Sequence, residues 1–352
     1  MPLIEELLIG VASHGLPGAP AVVSHDYLDA AVWTGLVRQA RRQQLLGWMG
    51  VAVIDEVLVA SDDQLDELRR IELEWFVRLQ PHRRLLLECA AEFDRQGIDY
   101  LALDGLALTH VVGLQFGQCS VGDVELIVAA DSFPAAYSAL EVRFDAVADL
   151  SSKTDPRPDA TLRLDTGTIR LGRSIVSGPF GYRVDHAGLR SGGKAINIDD
   201  ATIQTVDANI HMVAACYRAA LDRSTPTLGA LRDVATLADG SYTDPQTVVE
   251  LAVSWRGAAP LAAGLRVAFD RLHCDEPDLV RWAASTPVSS IDRAFMASYG
   301  AFDRPTSTIS AGLVLVDGWR ERIDLTSIQE KYRYPIAKGR VGSGSIDRLP
   351  YE

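Results

Sequence analysis

The chain reads as an α+β protein: a mixed-sheet core, helices ahead of it and a helical domain behind it. Three stretches predict this. Residues 96–128, QGIDYLALDGLALTHVVGLQFGQCSVGDVELIV, run strand, sharp turn, short helix, loop, strand. Residues 160–172, ATLRLDTGTIRLG, alternate along a hairpin. Leu162, Leu164, Ile169 and Leu171 fall on one side, Arg163, Asp165 and Arg170 on the other, and Asp165-Thr166-Gly167 makes the turn. The flanking stretches, 27–95 and 201–272, place apolar residues at helical spacing.

Taken in order, the first residues form a helix rather than a signal peptide, because Glu5 and Glu6 interrupt the apolar run and no basic region precedes it. Residues 27–49 form a helix with Arg38, Arg41 and Arg42 on its polar side. Ser61-Asp62-Asp63 caps a helix over 64–80, Pro81 breaks it, and a further helix over 82–95 ends at Gly97. Residues 98–103 are a strand, Asp104-Gly105 a turn, and 106–112 a short helix closed by Gly113. A second strand starts at Gly122. Asp131 and Pro134 open a helix over 133–141, followed by a strand over 144–150 and a polar loop over 151–159. After the hairpin, 173–198 is Gly-rich and irregular. Asp199 or Asp200 then caps a helix over 201–221, and helices follow over 228–237, 245–255 and 259–272. Residues 320–340 are rich in Arg, Lys and Tyr within a weakly patterned end. The expected organisation is a helical segment over 1–84, the sheet core over 85–198, a helical domain over 199–310 and a tail over 311–352.

Composition narrows the function classes. With 352 residues, 47% hydrophobic and 23% charged, this is an ordinary globular chain with room for a sizeable core. A net charge of −13 argues against a large nucleic-acid interface. No run is long and apolar enough for a membrane span. Four widely spaced cysteines suggest free thiols in a reducing cytoplasm, not a disulfide framework or a zinc site.

The candidate chemistry sits at Gly122-Asp123-Val124-Glu125. Alternation puts Asp123 and Glu125 on one face of the strand, and two carboxylates there make a hard-oxygen site for Mg²⁺ or Mn²⁺. Ions held so can bridge a triphosphate and activate an attacking oxygen. The bland alternative is a solvated stripe on an edge strand, but the following Leu-Ile-Val-Ala-Ala looks buried on both faces. The chain has no GxSxG, HExxH, GxGxxG or Walker loop. His211, with Asp207 one turn before it, is a core histidine unless a nucleophile accompanies it, and none is evident.

Gly97, Ile98, Gly105, Leu108, Gly122, Asp123, Leu126 and Val128 together resemble the core signature of the nucleotidyltransferase superfamily, and within it a bacterial family of uncharacterised nucleotidyltransferases. The resemblance extends to about residue 272, where His211 and Arg232-Asp233 match a His and an Arg-Asp pair of the family's helical domain. Three positions depart from the pattern: Asp104 stands for a Lys, Cys119 for an Arg and Glu125 for an Asp. The resemblance implies transfer of a nucleotidyl group from a nucleoside triphosphate to a hydroxyl or amine on an unknown small-molecule or peptide acceptor. Asp123 and Glu125 would hold Mg²⁺ or Mn²⁺, the Gly105–Leu106 backbone would touch phosphate, and Asp165 or Asp104 would complete the site. Two plainer roles stay open: Asp165 as a turn residue, Asp104 as a helix cap. The missing Lys and Arg leave a second function open, a catalytically decayed relative acting as a binding or scaffold protein.

Overall fold

A computed structural model describes residues 2–19, 23–24, 26–115, 118–119, 122–146, 148–149, 160–176, 180–181, 183–184, 186–221 and 225–299. The expected loop over 151–159, the tail over 311–352 and the basic stretch over 320–340 lie outside the described residues. Every described element belongs to the compact unit Met1–Leu315.

The protein is α+β: the described residues form a seven-stranded mixed sheet with helices packed on both of its faces. The strands are β1 (Tyr100–Ala102), β2 (Val124–Val128), β3 (Ala148–Asp149), β4 (Ala160–Leu164), β5 (Gly167–Gly172), β6 (Gly193–Ile198) and β7 (Ala201–Val206). Their order across the sheet is β3-β4-β5-β2-β1-β7-β6. β2 runs antiparallel to β1 and parallel to β5, and β1 runs parallel to β7. The helices are α1 (Pro2–Ser13), α2 (Ala30–Arg42), α3 (Leu46–Ile54), α4 (Asp62–Gln96), α5 (Gly105–Val112), α6 (Phe133–Phe144), α7 (His186–Ser191), α8 (Ala208–Leu221), α9 (Leu228–Ala238), α10 (Pro245–Ser254), α11 (Ala258–Leu272), α12 (Asp278–Ser285) and α13 (Ser290–Tyr299). None of the described helices is long and apolar enough to cross a membrane. All four cysteines are free of disulfides.

The period-2 pattern of β2 divides two cores. Val124, Leu126 and Val128 join Leu86, Phe93, Ala136 and Leu140 in a core between the sheet, α4 and α6. Ile127 faces the other way and joins Leu101, Leu103, Val213 and Tyr217 in the larger core beneath the C-terminal helices. Glu125 shares the side of Ile127, so the acid pair looks toward α8, not α4.

The helix expected over 27–49 is two, α2 and α3, parted where Gln44 takes φ 58°. Three further elements differ from the sequence expectation. α4 is one helix of 35 residues that runs through Pro81. Proline removes the N–H that would bond the Val77 carbonyl, but Val77 is exposed, so water can serve that carbonyl. Residues 201–206 are strand, not helix, and Asp199-Asp200 is the turn of a β6–β7 hairpin, with Asp199 at φ 53°. The β-branched Thr202, Ile203, Thr205 and Val206 fit a pleated surface. The helix starts later, at α8, where Asp207 accepts from the Ile210 N–H at 2.9 Å. Residues 186–198, expected to be irregular, form α7 and β6. The hairpin over 160–172 is as expected, with Leu162, Ile169 and Leu171 fully buried.

Candidate active site

The strand–turn–helix–strand unit expected over 98–128 forms as β1, α5 and β2. Asp104 is the N-cap of α5: its Oδ1 accepts from the Ala107 N–H at 2.8 Å. Its Oδ2 lies 3.2 Å from His82 Nε2, and the residue is only 2% exposed. Both oxygens are therefore engaged inside the protein, and the capping role is the one adopted. Replacing Asp104 by Ala should lower stability by about 1–2 kcal/mol, because the cap is lost and His82 loses its acceptor. Urea unfolding checks this, and equal midpoints for the two proteins would remove the capping account.

Asp123 and Glu125 are brought together on one side of the sheet, and each meets a cation. The register pairs Glu125 with Arg170 on β5, so the two side chains share a face. Arg170 reaches both carboxylates, at 3.7 Å from Asp123 Oδ2 and 3.7 Å from Glu125 Oε1. From the other side Arg218, on α8, donates to Glu125 Oε2 at 2.7 Å and to the Leu103 carbonyl at 3.4 Å. The two pairings differ in strength. Arg218 to Glu125 is a charge-assisted hydrogen bond, with the Glu125 side chain 19% exposed. Arg170 is 52% exposed and beyond hydrogen-bond length, which is worth about 0–1 kcal/mol. Two carboxylates and two guanidiniums leave the cluster formally neutral.

The expected third carboxylate is not assembled. Asp165 is exposed in the turn between β4 and β5, and Asp104 faces inward on its own partners. Among the described residues no group of three or more His, Cys, Asp or Glu side chains is arranged to hold a metal ion. The donors that remain still suit Mg²⁺ or Mn²⁺ of the kind bound through one or two carboxylates, with substrate phosphates and water completing the shell. A recess of about 220 Å³ walled by Leu16, Ala235, Phe269 and Pro277, and an open groove beside Arg84 and Arg143, both exclude the acid pair from their walls. Converging charge marks the candidate site.

The other residues singled out in the sequence have structural surroundings. His211 is fully buried. Thr205 has one hydroxyl proton, and its 2.6 Å contact with the Ala102 carbonyl uses it. Thr205 must then accept from His211 Nε2, 3.2 Å away, which leaves Nδ1 as the bare nitrogen. Burial first, then the Arg218 and Lys194 charges, hold its pKa down at about 3, so the ring is neutral. This contact fixes the start of α8, the helix that carries Arg218. Cys119 is buried, and burial, assisted by Asp233, pushes its thiol well above the usual range. Arg232 is buried in the larger core, where it donates to the Ala12 carbonyl at 2.6 Å and lies 3.4 Å above the Trp48 ring.

In the sequence, alternation sets Arg170 on the outer side of its hairpin without linking it to the acids, and Arg218 belongs to no motif. Signals for both were present: Arg170 alternates with the buried Ile169 and Leu171, and Arg218 lies two helical turns after His211.

No family model matches the chain, and no curated protein matches it. Among solved structures it is similar to the solution structure of the antibiotic-resistance factor ANT(2'')-Ia, at 10% identity and a TM-score of 0.36, over 49% of this chain and 90% of that one. Fold and site therefore stand on the chain's own geometry.

Proposed function

We propose that this protein transfers a nucleotidyl group from a nucleoside triphosphate to a hydroxyl or amine of a small-molecule or peptide acceptor, in the cytoplasm and with Mg²⁺ or Mn²⁺. The observation that carries the reading is the acid pair Asp123 and Glu125, set side by side at the start of a central strand and faced by Arg170 and Arg218. Those arginines supply positive charge that the motif lacks at Asp104 and Cys119. Asp123 and Glu125 would hold a divalent cation, which would supply stabilisation of the charge that develops during transfer. Asp123 and Glu125 present the hard oxygens for it. Arg218, bonded to Glu125 at 2.7 Å, orients that carboxylate and adds positive charge beside the phosphate site. The first turn of α5 offers the Gly105 and Leu106 N–H groups at a helix N-terminus, where anions are favoured. The Asp104 carboxylate at that same turn weakens this subsite for a bare triphosphate.

A second reading has its own support. Arg170 touches both acids, and Asp104 is sealed inward, as suits a decayed relative that serves as a binding or scaffold protein. Calorimetric titration with the four ribonucleoside triphosphates separates the two. The transfer reading expects binding that requires Mg²⁺ or Mn²⁺, and the scaffold reading expects none at millimolar Mg²⁺.

A further inference from the structure

We infer that Arg170 is a built-in counter-ion that takes the place of the divalent cation between Asp123 and Glu125, and that it leaves for the phosphates when a metal–nucleotide complex arrives. The nucleotide half of this rests on the transfer reading above; the counter-ion half does not. Among the described residues, Arg170 is the side chain placed to neutralise both acids at once, 3.7 Å from each. Its position follows from the sheet: β5 lies parallel beside β2, and the register sets Arg170 next to Glu125. Without a cation there, two neighbouring carboxylates would repel each other, and Arg218 hydrogen-bonds only one of them.

The two arginines are built differently, and this assigns their roles. Arg218 is tied down by the Leu103 carbonyl and the short bond to Glu125. Arg170 sits half in solvent with no contact to either acid at hydrogen-bond length. A guanidinium so weakly held can swing a few ångströms at little cost. Free Mg²⁺ or Mn²⁺ has to enter against its charge and gains little. A metal–triphosphate gives Arg170 phosphate oxygens to bind as it gives up the carboxylates. The site therefore discriminates against free ions and favours the metal–nucleotide complex.

The test is Mn²⁺ binding to the full chain by electron paramagnetic resonance, with no nucleotide present. Removing one positive charge about 4 Å from a divalent ion should tighten Mn²⁺ binding at least about tenfold in Arg170→Ala, even with solvent screening. Arg170→Lys keeps the charge and should stay near the wild-type value. The double variant Arg170→Ala, Asp123→Ala should lose the gain. Because Arg170 is exposed and outside both cores, thermal unfolding of Arg170→Ala should match wild type, which certifies the comparison. An Arg170→Ala protein with unchanged Mn²⁺ affinity overturns the inference, as does a gain that survives Asp123→Ala. A gain in Mn²⁺ binding in a protein that binds no metal–nucleotide upholds the counter-ion and defeats the transfer reading, so the two failures are distinct.

Discussion

Replacing Arg232 by Ala is expected to cost about 3–5 kcal/mol of stability, as removal of one member of a buried charged group does. Arg232 is 3% exposed and Asp233 beside it 8% exposed. Burial holds the guanidinium pKa down at about 10, with Asp233 opposing the shift, so the side chain is charged at neutral pH. The charge is met by the Ala12 carbonyl at 2.6 Å and by the Trp48 ring at 3.4 Å. Trp48 in turn donates to the Gln118 carbonyl at 2.6 Å, next to Cys119. One side chain thus ties α1, α3 and α9 to the loop that delivers the acid strand. The Ala variant leaves the Ala12 carbonyl without its donor, Asp233 without its neighbouring charge, and a void against Trp48. Arg232→Met, which keeps length and apolar contact with the ring, should lose less. Urea unfolding of both variants checks this, and an Ala variant within 1 kcal/mol of wild type would contradict it.

Gly264→Ala is the second large effect, with a sign opposite to helix propensity. Alanine is favoured over glycine inside a helix by about 1 kcal/mol. At this position a Cβ would stand 2.3 Å from the Cys216 carbonyl oxygen and 2.6 Å from the Cys216 Cα. These are backbone atoms of α8, so no side-chain rotation relieves the contact, and α8 and α11 must move apart. Overpacking of that kind costs about 3 kcal/mol, and a net loss of about 2 kcal/mol remains. The same displacement pulls on Arg218, so the variant should also disturb the acid pair. A melting temperature at or above that of wild type would show that the two helices separate freely.

Local signals made much of this fold legible from the sequence. The two cores follow from the alternation in Val124 to Val128 and from the hairpin that buries Leu162, Ile169 and Leu171. The cap at Asp104 was legible because capping needs only the residue and the three that follow. Two other features escape local rules because tertiary packing overrides them. Pro81 reads as a break, yet α4 continues because its ends are anchored in different cores, Leu68 and Ile71 in one and Leu86 and Phe93 in the other. Residues 201–206 carry Ile203, Val206 and then Ile210 at near-helical spacing, yet the first two lie in a strand held beside β1 and β6. The candidate site was half legible. Its acids are neighbours in sequence, whereas its arginines come from β5 and α8, and only sheet register and helix docking bring them to the acids.

In the proposed function, Asp123 and Glu125 form a cation-dependent nucleotide site. It is tested most directly by calorimetry with Mg²⁺ and the four ribonucleoside triphosphates on wild type and Asp123→Ala. Arg170 and Arg218 only neutralise the two carboxylates, which leaves no net positive charge for a bare triphosphate, so binding to wild type should appear only when Mg²⁺ or Mn²⁺ is present. Asp123→Ala should lose that binding at least tenfold while unfolding at the same temperature as wild type. Nucleotide binding that needs no metal and survives the alanine change would contradict the account.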